Sequence, residues 1–478
     1  MRTTFSGISI ALRALQAQQA SLDVTAHNVA NANTPGFSRQ SAVLSSSRAY
    51  PVPMLSSSVS NGQYGTGVQI SQVVRMRDLF VETRLRQENP QLGYWETLRE
   101  GLTQVELFFN EPGETGIASA MDQLWDSLQD LSHSADSMAA RQVVVQRAQV
   151  FVEAVQNTRR QLQSLREDLN NRVGVLVEKI NTLARQIADL NNQIGKVTAS
   201  GNLPNDLMDQ RDLLLEELSR IAEIDVTDDH ANMVLVTLDG VSLVQRSTAY
   251  ELEVYREHDF NAGYGRIKVR WQSTGIDTDV RAGELGATLH LRDEDVQYYI
   301  NKLDTWTADF AEAFNARHKE GYRLDGEPGE DFFTFVSEDG SVFPAMHIRV
   351  NPDIEEDPGR IAAAYVDVES GQYEQGQVAN GENALRLSEL RYRWTDEFIA
   401  IVSQLGVESE KAKKMAENRD VLVNHLHNLR EATSGVNLDE EMANMIKFQH
   451  AYNAAARLMT AVDETLDVII NRLGVVGR

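Results

Sequence analysis

The sequence predicts a mainly α-helical protein, with terminal coiled-coil helices, a stalk of long helices and a central β-rich insertion of one or two small β domains. Near both chain ends, apolar residues recur in steps of three and four, as in the seam of a coiled coil. A helical period also continues from about Ala135 to Lys196. After Ile221 the pattern changes to the alternation that is typical of strands.

The first helix carries a narrow apolar stripe, the predicted N-terminal assembly seam. Its members are Phe5, Ile8, Leu12, Leu15, Leu22, Ala26 and Val29, and the polar Gln19 occupies the one interrupted position. A helix with a single narrow stripe cannot bury that stripe alone, so it needs a partner. We expect the helix to end in a turn formed by Asn31, Asn33, Pro35 and Gly36, because proline cannot continue a helix and glycine permits a sharp turn.

The last helix carries a second stripe, the predicted C-terminal assembly seam. Its members are Met445, Phe448, Tyr452, Ala455, Met459, Val462, Leu466, Ile469 and Leu473. Asn437 is the expected N-cap, and Asp439, Glu440 and Glu441 put negative charge in the first turn, where the helix dipole favours it. The two terminal helices are therefore expected to pair with each other or with other copies of the chain.

The first half of the interior is predicted to be helical, with short strands and loop over residues 38–74. Pauses are expected at Asn89-Pro90 and from Asn110 to Gly116. Asp136 is the expected N-cap of the longest helix, which at about 1.5 Å per residue would be on the order of 90 Å long. Such a length suits a stalk better than a compact enzyme core.

The second half of the interior alternates between strands and helices. Val234–Leu238 and Val241–Val244 flank Asp239-Gly240, a strong hairpin signal. Further strands are expected at Glu251–Tyr255 and Arg266–Trp271. An isolated helix is expected from Glu294 to Lys319, with Asp293 as its cap, and the final helical region begins at Ala384 with a turn near Leu405-Gly406.

The negative charge is concentrated in one segment. The whole chain has a formal charge of -25, and residues 320–380 hold 14 acidic residues against three arginines, a net charge of -11. The two end segments are nearly neutral, at +1 for 1–36 and -2 for 437–478. We expect the acidic segment to form a solvated outer face, because like charges are not tolerated at the centre of a closely packed tube.

These patterns predict a nested domain organisation. Residues 1–36 and 435–478 form a terminal coiled-coil domain, and residues 37–221 and 381–434 form the helical stalk. Residues 222–293 and 321–380 form the outward β-rich insertion. The helix over 294–320 is left open between the stalk and the insertion.

Composition excludes several classes of function. The chain of 478 residues contains no cysteine, which rules out disulfides, thiolate catalysis, zinc fingers and iron–sulfur clusters. The acidic balance disfavours nucleic acid and anionic membranes as partners. Residues 1–30 lack the features of a cleaved signal peptide, and no apolar run is long enough to span a membrane. Taken alone, these features favour a cytoplasmic protein.

No catalytic, cofactor or metal site is expected. Gly65 and Gly67 begin like a dinucleotide-binding motif but lack its third glycine, and His425 and His427 would lie on different faces of a helix. Asp228-Asp229-His230 is typical of a polar turn before a strand. Asp293 and Asp295 resemble the start of a calcium loop, yet its later ligands are absent.

The chain ends resemble those of the bacterial flagellar axial proteins. The N-terminal resemblance lies in His27–Arg39, and the C-terminal one lies in Ser434–Met442 with Phe448–Arg457. Rod, hook and junction proteins share such ends. Internal stretches resemble more narrowly the hook-associated proteins that join hook to filament: Tyr64–Val68, Pro204–Asp212, and Asn315–Gly321 with Phe332-Phe333.

The resemblance implies a structural protein rather than an enzyme. It would leave the cell unfolded through the flagellar type III export channel and assemble outside the cell as a tubular homo-oligomer. The hook protein would lie below it and a second junction protein above it, and an export chaperone would hold the C-terminal helix. A thiol-free chain suits that route.

Three alternatives remain open. The chain could be a hook or distal-rod protein of the same superfamily, or a cytoplasmic coiled-coil adaptor. The β-rich insertion could also carry a hydrolase or sugar-binding activity.

Overall fold

The computed structural model describes residues 6–50, 64–111, 113, 116–259, 264–336, 343–365 and 380–472. The fold is mainly α-helical with small antiparallel sheets in the central part, which confirms the predicted class. The helices are α1 (Ser6–Ala30), α2 (Leu79–Phe109), α3 (Ile117–His133), α4 (Met138–Ala199), α5 (Asn205–Ile221), α6 (Gly283–His290), α7 (Val296–Lys319), α8 (Pro344–His347), α9 (Pro352–Glu356), α10 (Glu382–Ser388), α11 (Arg391–Ser434) and α12 (Leu438–Asp467).

The strands form four antiparallel sheets among the described residues. They are β1 (Gln40–Ser46), β2 (Val68–Arg75), β3 (Ile224–Asp228), β4 (Val234–Leu238), β5 (Val241–Gln245), β6 (Thr248–Ala249), β7 (Leu252–Asp259), β8 (Tyr264–Trp271), β9 (Phe333–Phe335) and β10 (Ile348–Val350). Strands β3 to β6 form one sheet in sequence order, and β1–β2, β7–β8 and β9–β10 form two-stranded sheets. The predicted hairpin at Asp239-Gly240 is confirmed as the β4–β5 turn.

Helix α4 is the scaffold of the molecule, with 62 residues and a length of about 90 Å. Its N-cap is Ser137, whose hydroxyl accepts a hydrogen bond from the Ala140 amide, so the expected cap at Asp136 was wrong by one residue. The N-terminal half of α4 packs in one apolar core with α2, α3, α7 and α11. Its C-terminal half packs in a second core with α5, α6 and the strands β3 to β8.

Two predicted interruptions were wrong, since α2 runs through Pro90 and α11 runs through Gly406. Proline removes one helix hydrogen bond, but Leu85 and Leu92 on either side of it are buried against α11. Around Gly406, Leu405 is likewise buried in the helical core. Packing on both sides of each residue outweighs the local cost, which for glycine is about 1 kcal/mol.

The helix expected from Glu294 begins earlier than predicted. Helical structure starts at Gly283 in α6 and reaches α7 through a π-helical turn, Leu291–Asp295. Asp293 lies within this turn and pairs with Arg292 (2.8 Å), so its expected role as a cap was wrong. The two glycines of α6 obscured the helical pattern in the sequence. Gly286 is nevertheless required there, because a Cβ atom at this position would lie too close to the backbone of Arg281. Helix α7 packs in the same core as α2, α3, α4 and α11.

The described part of the acidic segment contains helical turns as well as strands. Pro344, Pro352 and Pro358 each begin a short helical turn, where the missing N–H of proline costs nothing. Phe332, Ile348 and their neighbours pack in the same core as α7, so the boundary predicted at 321 divides one continuous core.

His318 links α7 to this segment from a fully buried position. The Ala362 amide donates to its Nε2 (2.8 Å), and its Nδ1 lies 2.6 Å from the Glu330 carbonyl oxygen, so Nδ1 carries the proton of a neutral ring. Burial lowers the pKa of His318 to about 4.

No helix in the described ranges has the length and apolar character that crossing a bilayer requires.

Because His318 is buried as a neutral ring, we expect the stability of the fold to decrease at acidic pH. Because its pKa is lower in the folded than in the unfolded state, its contribution to stability is complete above pH 6.5 and is lost as the pH falls towards 4. That loss corresponds to roughly 3 kcal/mol. Urea unfolding of the protein and of His318→Gln should therefore give a stability difference that shrinks from pH 7 to pH 4.5. The exposed His425→Gln is the matched control, and a difference independent of pH would contradict the assignment.

Candidate functional site: the junction of the chain ends

The two chain ends lie side by side, because α1 packs along α12. A Cβ atom added at Gly7 would lie 3.1 Å from a methyl carbon of Val462, so the helices approach closely there. The buried residues of α1 are small or polar: Ala11, Ala17, Ser21, Thr25 and Asn28. Small residues permit this approach, but they bury little apolar area.

The predicted C-terminal seam is mostly half-buried. Ala455 and Leu466 are buried, and Met445, Phe448, Tyr452, Met459 and Val462 are partly covered. Ile469 is exposed, and Leu473 lies outside the described residues. Most of this stripe is therefore shielded from solvent within the single chain.

The predicted N-terminal seam is more open than the small-residue face of α1. Ile8, Leu15, Leu22 and Val29 are partly covered, whereas Leu12 and Ala26 are exposed. Leu12 exposes 47% of its surface, and Phe5 lies outside the described residues. The α1 face most deeply buried in the single chain is therefore not the one predicted from the large apolar residues.

The signature turn that follows α1 is present as predicted. The Asn31 side chain donates to the His27 carbonyl (3.0 Å) and accepts from the Thr34 hydroxyl (3.2 Å). Gly36 has φ +77°, a conformation that favours glycine. Asn33 and Pro35 are exposed, so they shape the turn without buried contacts.

The residues flanking this turn join the two chain ends. The Asn28 side chain donates to the Gln40 carbonyl (2.9 Å) and to Glu441 Oε2 (3.1 Å), and it accepts from the Gln40 amide (2.9 Å). Arg39 Nε donates to Glu441 Oε1 (2.7 Å), while Glu441 is only 2% exposed. We call Asn28, Arg39, Gln40 and Glu441 the terminal interlock.

The same turn is fixed to helix α5. Asp209 accepts from the Ser38 amide (2.9 Å), the Ser38 hydroxyl (2.8 Å) and Arg75 (2.8 Å). Arg75 also donates to Asp212 (2.8 Å), which forms an ion pair with Arg77. One buried charge network thus connects the turn, strand β2 and α5.

The two carboxylates of this network respond differently to burial. Burial raises the pKa of Asp209 above its usual range, although hydrogen bonds from Ser38 and Arg75 oppose the shift. Burial also favours the neutral form of Asp212, but the charges of Arg77, Arg75 and Arg211 outweigh it and hold its pKa below the usual range. Asp212 is therefore the firmly ionised centre of the network.

Further contacts join the other motifs to the same place. Gln40 donates to Asp206 (2.6 Å), and Asn205 donates to Gln40 (3.2 Å). Arg13 of α1 donates to the Ser47 hydroxyl (3.0 Å) and the Thr66 carbonyl (3.1 Å), which fixes the β1–β2 hairpin to α1. The structure thus gathers at one junction four stretches that were separate in the sequence.

This junction has the chemistry of a structural joint. A cleft of about 280 Å³ lies beside it, lined in part by Thr25, Gln40 and Phe448. Its carboxylates are held by arginines and amides rather than left open to a substrate. Across the part of the chain that the structure describes, no group of three or more His, Asp or Glu residues is placed to hold a metal ion.

Sequence reasoning missed most residues of this junction. It interpreted Glu441 only as a charge in the first turn of a helix, and Asp206, Asp209 and Asp212 lay within the Pro204–Asp212 stretch without an assigned role. The sequence did contain a usable signal, because each of the motif stretches holds polar residues of the kind that folded proteins bury when they are hydrogen-bonded. Their pairing across 413 residues, as between Asn28 and Glu441, could not be predicted from one sequence.

Comparison with known families places the chain among flagellar axial proteins. Residues 8–37 match the model of the flagella basal body rod protein family, and residues 431–473 match that of the flagellar basal body rod FlgEFG protein C-terminal family. Residues 102–333 match the helical domain of flagellar hook-associated protein FlgK. The matches at the two ends include Asn28 and Glu441 of the terminal interlock.

The chain belongs to the family of flagellar hook-associated protein 1, the structural proteins of the hook–filament junction. It is 34% identical to that protein from Bacillus subtilis, over the full length of both chains. It is 26% identical to that of Escherichia coli, over 97% of this chain and 99% of the relative. The structure of the flagellar hook junction protein FlgK from Burkholderia pseudomallei shares the fold, with a TM-score of 0.62 and 17% identity over 73% of this chain and 100% of that chain.

The terminal interlock predicts that Glu441→Gln loosens both chain ends. The substitution removes the charge that Arg39 requires and turns an amide towards the donors of Arg39 and Asn28. We expect a loss of about 2 kcal/mol, measured as roughly 30-fold faster amide exchange in α1 and α12. Glu440→Gln, at an exposed partner of Arg39, is the control and should cost less than about 1 kcal/mol. Equal effects of the two variants would refute a role of the buried carboxylate.

Proposed function

We propose that this chain is a building block of the hook–filament junction whose paired terminal helices form an inner tube by packing against other copies. The observation that carries the proposal is the large apolar surface left on the paired ends. Apolar residues that remain exposed there include Leu12, Met442, Ile446, Leu458 and Ile470, with exposures of 47, 57, 54, 46 and 70%. Several large apolar side chains left exposed on one helix pair are typical of a surface that assembles.

The distribution of charge along the chain determines the domain arrangement that we propose. Residues 1–36 and 435–478 would form the inner tube, the stalk helices a layer around it, and the β-rich insertion the outer face. The near-neutral ends tolerate close packing of copies, whereas the acidic segment is better placed where solvent and ions screen it.

The partners in this proposal are those that the family resemblance implies. In the assembled flagellum the hook protein would lie below the tube and a second junction protein above it. Before export, a chaperone would cover the apolar residues of α12, which otherwise invite aggregation. The protein would act outside the cell, after unfolded passage through the flagellar export channel, as a structural component without catalytic activity.

A cytoplasmic adaptor is the competing interpretation. The two are separated by mass spectrometry of culture supernatants and lysates from cells with and without a functional export gate. The proposal expects the chain in the supernatant only when the gate functions. Disruption of the gene should leave hooks intact while filament subunits are secreted unpolymerised, a result that a hook or rod protein would not give.

Leu12→Asp should block assembly while leaving the monomer folded. Leu12 is exposed in the single chain, so a charge there costs little before assembly, but it would be buried between copies in the tube. The readouts are hook-attached filaments in cells and the circular dichroism melting curve of the purified monomer.

Gln16→Asp, at another exposed position of α1, is the matched control and should reduce assembly much less. Normal filaments with Leu12→Asp would remove this residue from the proposed interface. Loss of the monomer fold would show that Leu12 acts within the chain instead.

A further inference from the structure

Three asparagines of α4 are buried although their side chains are polar. Asn170, Asn181 and Asn191 expose only 6, 8 and 0% of their surface. They lie eleven and ten residues apart, each close to three helical turns, so they share one face of the helix. That face packs against the strands of the β-rich insertion.

Asn181 pairs with a single residue of strand β7. Its side-chain amide donates to the Leu252 carbonyl (2.8 Å) and accepts from the Leu252 amide (2.8 Å). An asparagine side chain has the donor and acceptor of a peptide group, so it takes the place of a neighbouring strand at this edge. Helix α4 therefore covers this edge of strand β7.

Asn170 makes the equivalent contact to strand β8. It accepts from the Ile267 amide (2.8 Å) and donates to the Gly265 carbonyl (3.1 Å). The buried Arg292 strengthens the contact, because it donates both to Asn170 Oδ1 (3.0 Å) and to the Ile267 carbonyl (2.7 Å). Both strands of the two-stranded β7–β8 sheet are therefore held by α4.

Asn191 holds the four-stranded sheet where β4 begins. It accepts from the Val234 amide (3.2 Å) and donates to the carbonyls of Val234 and Arg246, each at 2.9 Å. Arg211 donates to Asn191 Oδ1 (3.2 Å) and to the Asn232 carbonyl (2.6 Å). This contact therefore also includes helix α5, which carries Arg211.

We propose that Asn170, Asn181 and Asn191 are positioning residues that dock both central sheets on α4 by binding their main chain, so that insertion and stalk move as one rigid body. Apolar contacts alone are non-directional and would let a sheet shift along the helix. A two-stranded sheet such as β7–β8 is also marginal by itself. Since the bonds go to backbone atoms, the strand side chains are free to change without loss of the docking.

Amide hydrogen exchange on the full-length chain tests this proposal. The variants Asn170→Leu, Asn181→Leu and Asn191→Leu keep the branching and the number of heavy atoms of the side chain but remove both hydrogen-bonding groups. Asn181→Leu should speed exchange at Leu252 and its β7–β8 neighbours by about tenfold or more, with no change in α2 and α11. The exposed neighbours Asn171→Leu and Asn192→Leu are matched controls and should leave the sheets protected.

A distance measurement separates loss of docking from general destabilisation. Because the chain has no cysteine, Glu178→Cys on α4 and Arg256→Cys on β7, both exposed, can carry two spin labels. The distance distribution should be narrow in the parent and the Asn171→Leu background and broad in Asn181→Leu. If Asn181→Leu does not fold, Asn181→Asp, which keeps the volume and the acceptor oxygen, takes its place. An unchanged distribution, or equal loss of protection in α2 and α11, would overturn the proposal.

Discussion

The arrangement of the chain ends depends on the interaction of the buried Glu441 carboxylate with Arg39 and Asn28. An ionised carboxylate in the protein interior costs several kcal/mol unless charges and hydrogen bonds compensate for it. Arg39 and Asn28 supply that compensation from the other end of the chain. Helix α12 is therefore fixed against the turn after α1, and the apolar stripes of both helices remain in one helix pair.

The charge network around Asp212 extends this constraint to the stalk. Arg75 ends strand β2 and Arg77 follows it, whereas Asp209 and Asp212 lie on α5, so the chain ends, the β1–β2 pair and the helices meet in one place. The terminal helices are thus connected through these ion pairs to α5, which packs on α4.

The sequence was sufficient for the fold class because the signals were long. The apolar period runs along most of the 62 residues of α4, and α1 and α12 carry regular stripes, so single exceptions do not obscure the helical pattern. Local signals were less reliable. Pro90 and Gly406 indicated breaks, but packing of α2 against α11 kept both helices continuous, and the glycines of α6 concealed a helix that close packing requires. The junction could not be predicted, because its pairs join residues hundreds of positions apart.

A density map of the assembled hook–filament junction tests the central claim most directly. The account predicts that α1 and α12 line the innermost radius, with Leu12 and Ile446 buried between copies and the Arg39–Glu441 ion pair retained within each chain. It also predicts that the acidic surface around Asp353 and Glu355 faces outward. A map in which Leu12 and Ile446 face solvent, or in which the acidic segment is buried between subunits, would contradict it.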